Sequence, residues 1–450
     1  MLEEEEDAGD EARRLASGVW GIVVLLAGLL SALGVLLAPF FVRIVAPGLE
    51  AEQSELTARL MRILFPMAGV MILAAWCLGV LNSHRRFFLP FVAPVALNLT
   101  QIAGLLLGAR LGWEPLVVIL AWSTLAGSAL QLVVQLPLSR SLAGSLRPRL
   151  ETAWEPVRRV ARNAVPVAAS QGTLVFSGVM DFFLASFLPG GRAIAGLYFA
   201  QRIAFLPHGL FGVSVATAAL PEMSREDRTD VLRDHVTAGF LRILYFALPS
   251  AIVMLIAADL IAGLLFEHGE FTATHTAFTS RILQGYALGT VAATSVKLFA
   301  SAFHAQQDTT TPMRIAIVSV ITGIVIGAVT TFGLFRAGWG DASAAGLSFG
   351  GACGAWLNLT LLWRGLSGRA GRLLATPAAR RSAGRILVGA AIGGVAGFAA
   401  RMWLVDAIQP SGTLGYLLAL LGTLAAGGVP YLLIARMPAA DLADRPNESG

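Results

Sequence analysis

Two ionisable side chains stand deep inside apolar runs of this sequence, Arg202 and Asp181. A charge placed in hydrocarbon is costly, so each is a candidate for function. Arg202 closes the stretch Tyr198-Phe199-Ala200-Gln201-Arg202, eleven residues past a turn at Gly191, and Asp181 lies ten residues before that turn. With a helical rise of about 1.5 Å per residue, both reach a similar depth in one hairpin. They either pair with each other or line a wet cavity. A guanidinium presents parallel donors to phosphate oxygens, which suits Arg202 to an anionic head group. The alternative is an ion pair that only fixes one helix on the next. Lys297, about two turns from the end of its run, either snorkels to the membrane surface or meets the same anion. Arg62 and Arg281 open their runs, as interfacial anchors or as further ligands of that anion. Asp308 sits in a connection, where it fits a brace for the helix that follows.

Other chemistries lack their residues. No GxxxxGK[ST], HExxH or GxSxG occurs, and Cys77 and Cys353 lie apart in separate apolar runs without a CxxC. No connection is long enough to hold a soluble catalytic domain, so an enzyme is not expected. The 450 residues are 56% hydrophobic and 14% charged, with a mean hydropathy of +0.71. Soluble domains carry about 25% charge, and no soluble fold of this length hides so much apolar side chain. A soluble enzyme, a disordered chain and a nucleic-acid module are excluded, although the pI is about 9.7. The arginines fall in a few loops instead, which is the positive-inside pattern of a polytopic membrane protein.

A hydrocarbon core of about 30 Å needs roughly 20 apolar residues per helix, which gives an all-α protein with about 12 transmembrane helices. They cover 17–44, 60–82, 91–110, 115–137, 161–188, 193–219, 237–265, 280–303, 313–335, 342–363, 384–405 and 413–435. Arg85 and Arg86, Arg140 to Arg159, and Arg364 to Arg385 fall in loops on one side, which places that side and both termini in the cytoplasm. The acidic start, Glu3 to Glu11, does not read as a signal peptide. Arg62-Ile63-Leu64 recurs as Arg281-Ile282-Leu283, Pro90 as Pro312, and Arg110-Leu111-Gly112-Trp113 as Arg336-Ala337-Gly338-Trp339. The offsets of 219, 222 and 226 make the first four spans a parallel repeat of the seventh to tenth. The fifth and sixth spans have no counterpart before the first, so the first lobe reads as lacking its first two helices. Gly346-xxx-Gly350-xxx-Gly354 and Gly389-xxx-Gly393-xxx-Gly397 fit close helix packing, with a smooth lipid-tail groove as the second account of the latter.

Ordered motifs across residues 17–364 carry a resemblance. They are Arg62-Ile63-Leu64-Phe65-Pro66, Gly79-Val80-Leu81-Asn82-Ser83, Phe88-Leu89-Pro90 and Pro94-xxx-Asn98. Then come Ala185-Ser186-Phe187-Leu188-Pro189, Tyr198 to Arg202, Pro207-xx-Leu210-Phe211-Gly212-Val213 and Leu220-Pro221-Glu222-Met223-Ser224. Last are Phe266-Glu267-His268-Gly269-Glu270-Phe271, Val296-Lys297-Leu298 and Asp308-Thr309-Thr310-Thr311-Pro312. Together they resemble the MurJ/MviN family, lipid II flippases of the multidrug and oligosaccharidyl-lipid exporter superfamily. The resemblance implies a two-lobed, MATE-like bundle with two extra C-terminal helices. The expected organisation is an acidic cytoplasmic N-terminus 1–16, a truncated four-helix lobe 17–140, an Arg-rich linker 141–160, and a six-helix lobe 161–365. A second Arg-rich linker 366–383, a helix pair 384–436 forming a lipid-tail groove, and a cytoplasmic tail 437–450 complete it.

The activity implied is alternating-access transport of an undecaprenyl-diphosphate-linked peptidoglycan precursor across the bacterial inner membrane, in cell-wall biogenesis. Arg202 matches the family's cavity arginine in the second lobe, with Lys297, Arg62 and Arg281 as further substrate-binding candidates. Asp181 matches an acidic position that helps bind sodium in some members. No organic cofactor is expected, and sodium or the membrane potential is the coupling source. The implied partners are lipid II, membrane lipids and cell-wall synthases. The rival readings are an oligosaccharide-lipid or drug/cation exporter of the same superfamily, and a non-transporting scaffold for the cell-wall machinery.

Overall fold

A computed structural model describes residues 2–113, 115–144, 154–189, 191–216 and 229–435, and only the backbone of 2–10, 161, 163–176, 213 and 229. Arg147, Arg149, the stretch Leu220 to Asp227 and the tail 437–450 lie outside the described residues.

All regular structure among the described residues is helical. In lipid each backbone N–H and C=O must be satisfied within its own segment, and long apolar runs achieve this as helices. The first four are α1 (Leu2–Val45), α2 (Ala51–Ser83), α3 (Phe88–Leu111) and α4 (Leu116–Ala143). Next come α5 (Glu155–Ser186), α6 (Arg192–Pro207) with a π-helical extension His208–Val213, α7 (Thr229–Ile256) and α8 (Ala258–Phe266). Then follow α9 (Ala273–Ala305), α10 (Thr310–Arg336), α11 (Ala345–Ala370), α12 (Pro377–Ile408) and α13 (Gly412–Ile434). Among the described residues, 10 helices are long and apolar enough to cross a membrane. The other two expected spans fall on α5, whose side chains are described in part, and on α6, whose α-helical portion has 16 residues.

The expected single span 237–265 is two helices, α7 and α8, which part at Ala257 (φ −125°, ψ 24°). The Leu255 carbonyl accepts a hydrogen bond of 3.0 Å from the Gln284 side chain of α9. A side chain entering the backbone ladder is a recognised cause of a sharp bend.

The chain divides into two compact units, Met1–Gly172 and Thr173–Gly450. In the first, α1 packs on α2, α2 on α4, and α3 on α4. In the second, α7 packs on α9, α9 on α11, and α10 on α11. The same packing order thus recurs in the helices that the motif offsets pair. α12 and α13 pack on each other, α12 also on α7, and α13 on α8. α9 is the hub of its unit: 67% of its most apolar window is buried, against at most 44% in the other spanning helices. Ile282, Leu283, Leu298, Phe299 and Phe303 of α9 are fully buried.

Small residues set the closest seams. Without a hydrophobic force between helices in lipid, backbones gain most by approaching closely. A Cβ on Gly350 of α11 would collide with the backbone of Gly323 and Gly327 on α10. On α12, a Cβ on Gly393 would meet the Gly427 carbonyl of α13, and one on Gly397 the Thr423 carbonyl at 3.4 Å. Both glycine stripes are therefore occupied by helix packing.

Candidate functional site

The hairpin of the fifth and sixth expected spans, α5 into α6, turns at Gly191 in the left-handed region (φ 67°). Its apolar face is pinned to α9: Ala185, Leu188, Leu197, Ala200 and Ile203 share one core with Phe278, Ile282 and Leu283. Gly196 lets α6 approach the Phe278 ring closely. Pro207 ends the α-helical part, since it lacks an N–H and crowds the preceding turn. The chain continues as a π-helical turn from His208 to Val213, a form that often marks functional sites. Within it Gly212 lies against the Thr294 carbonyl of α9.

On the opposite face of α6, Arg202 is exposed. Its Nη2 donates to the Tyr198 hydroxyl at 3.1 Å, and its guanidinium carbon lies 4.9 Å from the centre of that ring. The two residues are four apart, so they share one helix face. Among the described residues no carboxylate lies within ion-pair distance of Arg202. The direct Asp181–Arg202 pair, one of the two readings of the hairpin, is not formed. Asp181 is half-buried near the end of α5 and within electrostatic reach of Tyr286 on α9. Of the two readings, an arginine with unspent donors remains.

Lys297 is exposed on α9, within electrostatic reach of His208 in the π-helical turn. The His208 Nδ1 atom is buried without a hydrogen-bond partner. Arg281, near the start of α9, is exposed and lies 5.4 Å from the Trp339 ring centre. Sixteen residues separate Arg281 from Lys297, roughly 24 Å along the helix axis, so they do not bind one small group together. Arg62 is exposed on α2 in the other unit. The fold thus sets Arg202 on α6 and Lys297 on the helix to which α6 is packed, with Arg281 farther along it.

Asp308 is the brace that its position suggested. Its Oδ1 accepts from the backbone N–H of Thr311 at 2.9 Å and of Thr310 at 3.1 Å, at the start of α10. Its Oδ2 accepts from Arg369 of α11 at 2.7 Å. The Thr311 and Arg369 donors hold this carboxyl well below the usual carboxylate range. Sequence reasoning gave no role to Tyr198, although its spacing from Arg202 was visible. It also missed Arg401, which donates to Asp259 at 2.6 Å, and Tyr416, which donates to Glu267 at 2.9 Å. These contacts fasten α12 and α13 to α8, between residues 142 and 149 apart; the charges of Arg401 and Asp259 inside apolar spans were the visible signal, but nothing local paired them.

An apolar helical bundle with a duplicated packing order and exposed cations on buried-core helices defines a multi-pass membrane protein of the transporter type. The architecture matches two solved structures. A lipid II flippase MurJ in an inward closed conformation superposes with a TM-score of 0.74, at 21% identity, over 94% of this chain and 83% of that one. An inward-facing MATE-family multidrug resistance transporter of the MOP superfamily gives a TM-score of 0.65 at 15% identity, over 83% of this chain and 84% of that one. The family model described as lipid II flippase MurJ matches residues 1–418, and the chain belongs to that family. A probable lipid II flippase MurJ of Rhizobium meliloti is 32% identical over 443 residues, 95% of this chain and 79% of that protein. That of Rhizobium tropici is 31% identical over 88% of this chain and 74% of its own length. The lipid II flippase MurJ of Burkholderia cenocepacia is 31% identical over 80% and 70%.

Proposed function

We propose that this chain carries lipid II from the cytoplasmic to the outer leaflet of the bacterial inner membrane, with Arg202 as the residue that meets the diphosphate. A diphosphate cannot enter hydrocarbon unaided, because an uncompensated charge there is far too costly. The polyprenyl tail has no such barrier and stays in lipid while the head moves. Transport then requires a polar path that opens to each side of the membrane in turn. The chain moves its cargo without making or breaking a covalent bond.

The observation that carries this reading is the state of Arg202. Its side chain is exposed, steadied by Tyr198, and free of any carboxylate among the described residues. A structural ion pair would have spent those donors. Lys297 extends the positive field along the neighbouring helix, and Arg62 and Arg281 serve as charges nearer the membrane surface. The coupling source is sodium, with Asp181 as a candidate ligand, or the membrane potential. Moving one charge through 100 mV is worth about 2.3 kcal/mol, enough to bias the return of an unloaded cationic site. The arginine-rich loops orient both termini to the cytoplasm, where peptidoglycan precursors are loaded and cell-wall synthases on the far side receive them.

The test is Arg202→Ala in membrane-inserted protein, with lipid II exposure at the outer surface as readout. Loss of exposure supports the assignment. Wild-type exposure at equal protein level removes Arg202 from the path.

A further inference from the structure

A cavity lies in the Thr173–Gly450 unit, away from the hairpin of Arg202. It measures about 470 Å³ and is walled by α9, α10 and α11, with Leu255 at the end of α7. That volume is within the range of about 300–1,000 Å³ typical of ligand pockets. Its walls are almost wholly apolar. Of its lining side chains only Arg281, Gln284 and Thr330 are polar. Gln284 donates to the Leu255 carbonyl at 3.0 Å, and the Thr330 hydroxyl is engaged with the Ile326 and Gly346 carbonyls at 2.7 and 3.0 Å. Gln284 keeps one amide N–H, whereas the Arg281 guanidinium, the one charged group in the lining, has no carboxylate within ion-pair distance among the described residues.

The geometry points to a site for an anionic phospholipid of the surrounding bilayer, its phosphate on Arg281 and one acyl chain in the cavity. Four observations converge. Arg281 lies eight residues into α9, about 12 Å from the helix start, a depth from which its side chain reaches the head-group layer by snorkelling. Trp339 lies beside its guanidinium and is exposed, and tryptophan concentrates at that layer. Below Arg281 the wall carries Leu288 and Phe349, both exposed apolar side chains that suit hydrocarbon rather than a hydrated transport path. The charge at one end and the apolar depth behind it match a lipid phosphate with its chain, whereas a water-soluble anion would leave the walls unfilled. The apolar lining also favours a resident bilayer lipid over the transported diphosphate, which needs a polar route for its head.

Such a lipid would sit against the junction of α7 and α8, because Leu255 and Gln284 belong both to the cavity and to that bend. Two variants separate charge from space. Arg281→Gln removes the phosphate partner. Gly333→Leu fills the cavity while leaving Arg281 in place, and a Cβ at Gly333 meets nothing within 4 Å, so the helix packing is undisturbed. The experiment is native mass spectrometry of the full chain in detergent, titrated separately with phosphatidylglycerol, phosphatidylcholine and undecaprenyl diphosphate. The expected result is one tightest-bound phosphatidylglycerol, weakened about tenfold by either variant and retained in Arg281→Lys. Equal binding of phosphatidylcholine, or no effect of either variant, would overturn the site. Preferential loss of undecaprenyl diphosphate in Arg281→Gln would overturn the lipid assignment and return Arg281 to the cargo path.

Discussion

At the scale of single residues, Arg202 and Tyr198 act as a pair. The hydroxyl takes one donor of the guanidinium and the ring lies beside it, leaving the remaining donors without a carboxylate partner among the described residues. A charged hydrogen bond is worth about 1.5–3 kcal/mol. Arg202→Ala should therefore weaken lipid II binding tenfold or more, read by titration of the purified protein. Arg202→Lys should lose most of that as well, since a point charge cannot form the paired contact. Tyr198→Phe keeps the ring and removes the hydroxyl, so its effect should be only a few-fold, about 0.5–1.5 kcal/mol. Asp308 works differently, as a brace outside the membrane-spanning segments. Its folded value is depressed below the unfolded carboxylate value of about 3.9. Its stabilisation is thus fully present above that unfolded value and fades as pH falls toward the folded one. Asp308→Asn should lower the melting temperature at pH 7, and the gap from wild type should narrow at about pH 3.

At the scale of elements, the seams between helices are made by absent side chains. Gly350 of α11 faces the backbones of Gly323 and Gly327, while Gly351 beside it meets nothing within 4 Å. Gly350→Leu should destabilise the protein by about 1–3 kcal/mol or more, and Gly351→Leu should be near neutral. Thermal unfolding of the two variants checks the contrast. That seam was legible in the sequence, because small residues four apart mark one helix face. So were the apolar runs, the paired motifs of the repeat and the bracing role of Asp308, which stands two residues before α10. The division of the span 237–265 was not legible. Its cause is Gln284, a residue from another helix, 29 positions from the carbonyl it takes. The pairing behind the fastening of α8 by Arg401 and Tyr416 was hidden for the same reason: Arg401 and Asp259 stand out as charges inside expected spans, but the partners are distant in the chain and nothing local joins them. A double-mutant cycle on Asp259→Asn and Arg401→Gln should give a coupling energy clearly different from zero, whereas Asp259→Asn paired with Arg380→Gln should be additive.

At the scale of the whole molecule, a four-helix unit occurs twice with the same internal packing order, and a further helix pair is attached to the second copy through α7 and α8. The second copy carries the hairpin with Arg202, the hub helix α9 and the cavity beneath Arg281. A lipid carrier needs this division of labour: a charged face for the head, and apolar flanks that leave the tail in the bilayer. Under membrane-potential coupling, depolarisation should slow transport without abolishing lipid II binding, because the potential would act on return of the cationic site rather than on the contact itself. Parallel binding and transport assays in vesicles, with and without an ionophore, separate the two. The central claim is that this chain moves lipid II with Arg202 on the path. Its most direct test is reconstitution of the full chain into vesicles holding lipid II in both leaflets, followed by addition of an outside reagent that consumes only outer-leaflet substrate. Wild-type protein should let the reagent consume nearly all of the substrate, and Arg202→Ala should hold consumption near the outer half. Equal, complete consumption by both would contradict the role of Arg202, and consumption of only the outer half by wild type would contradict transport itself.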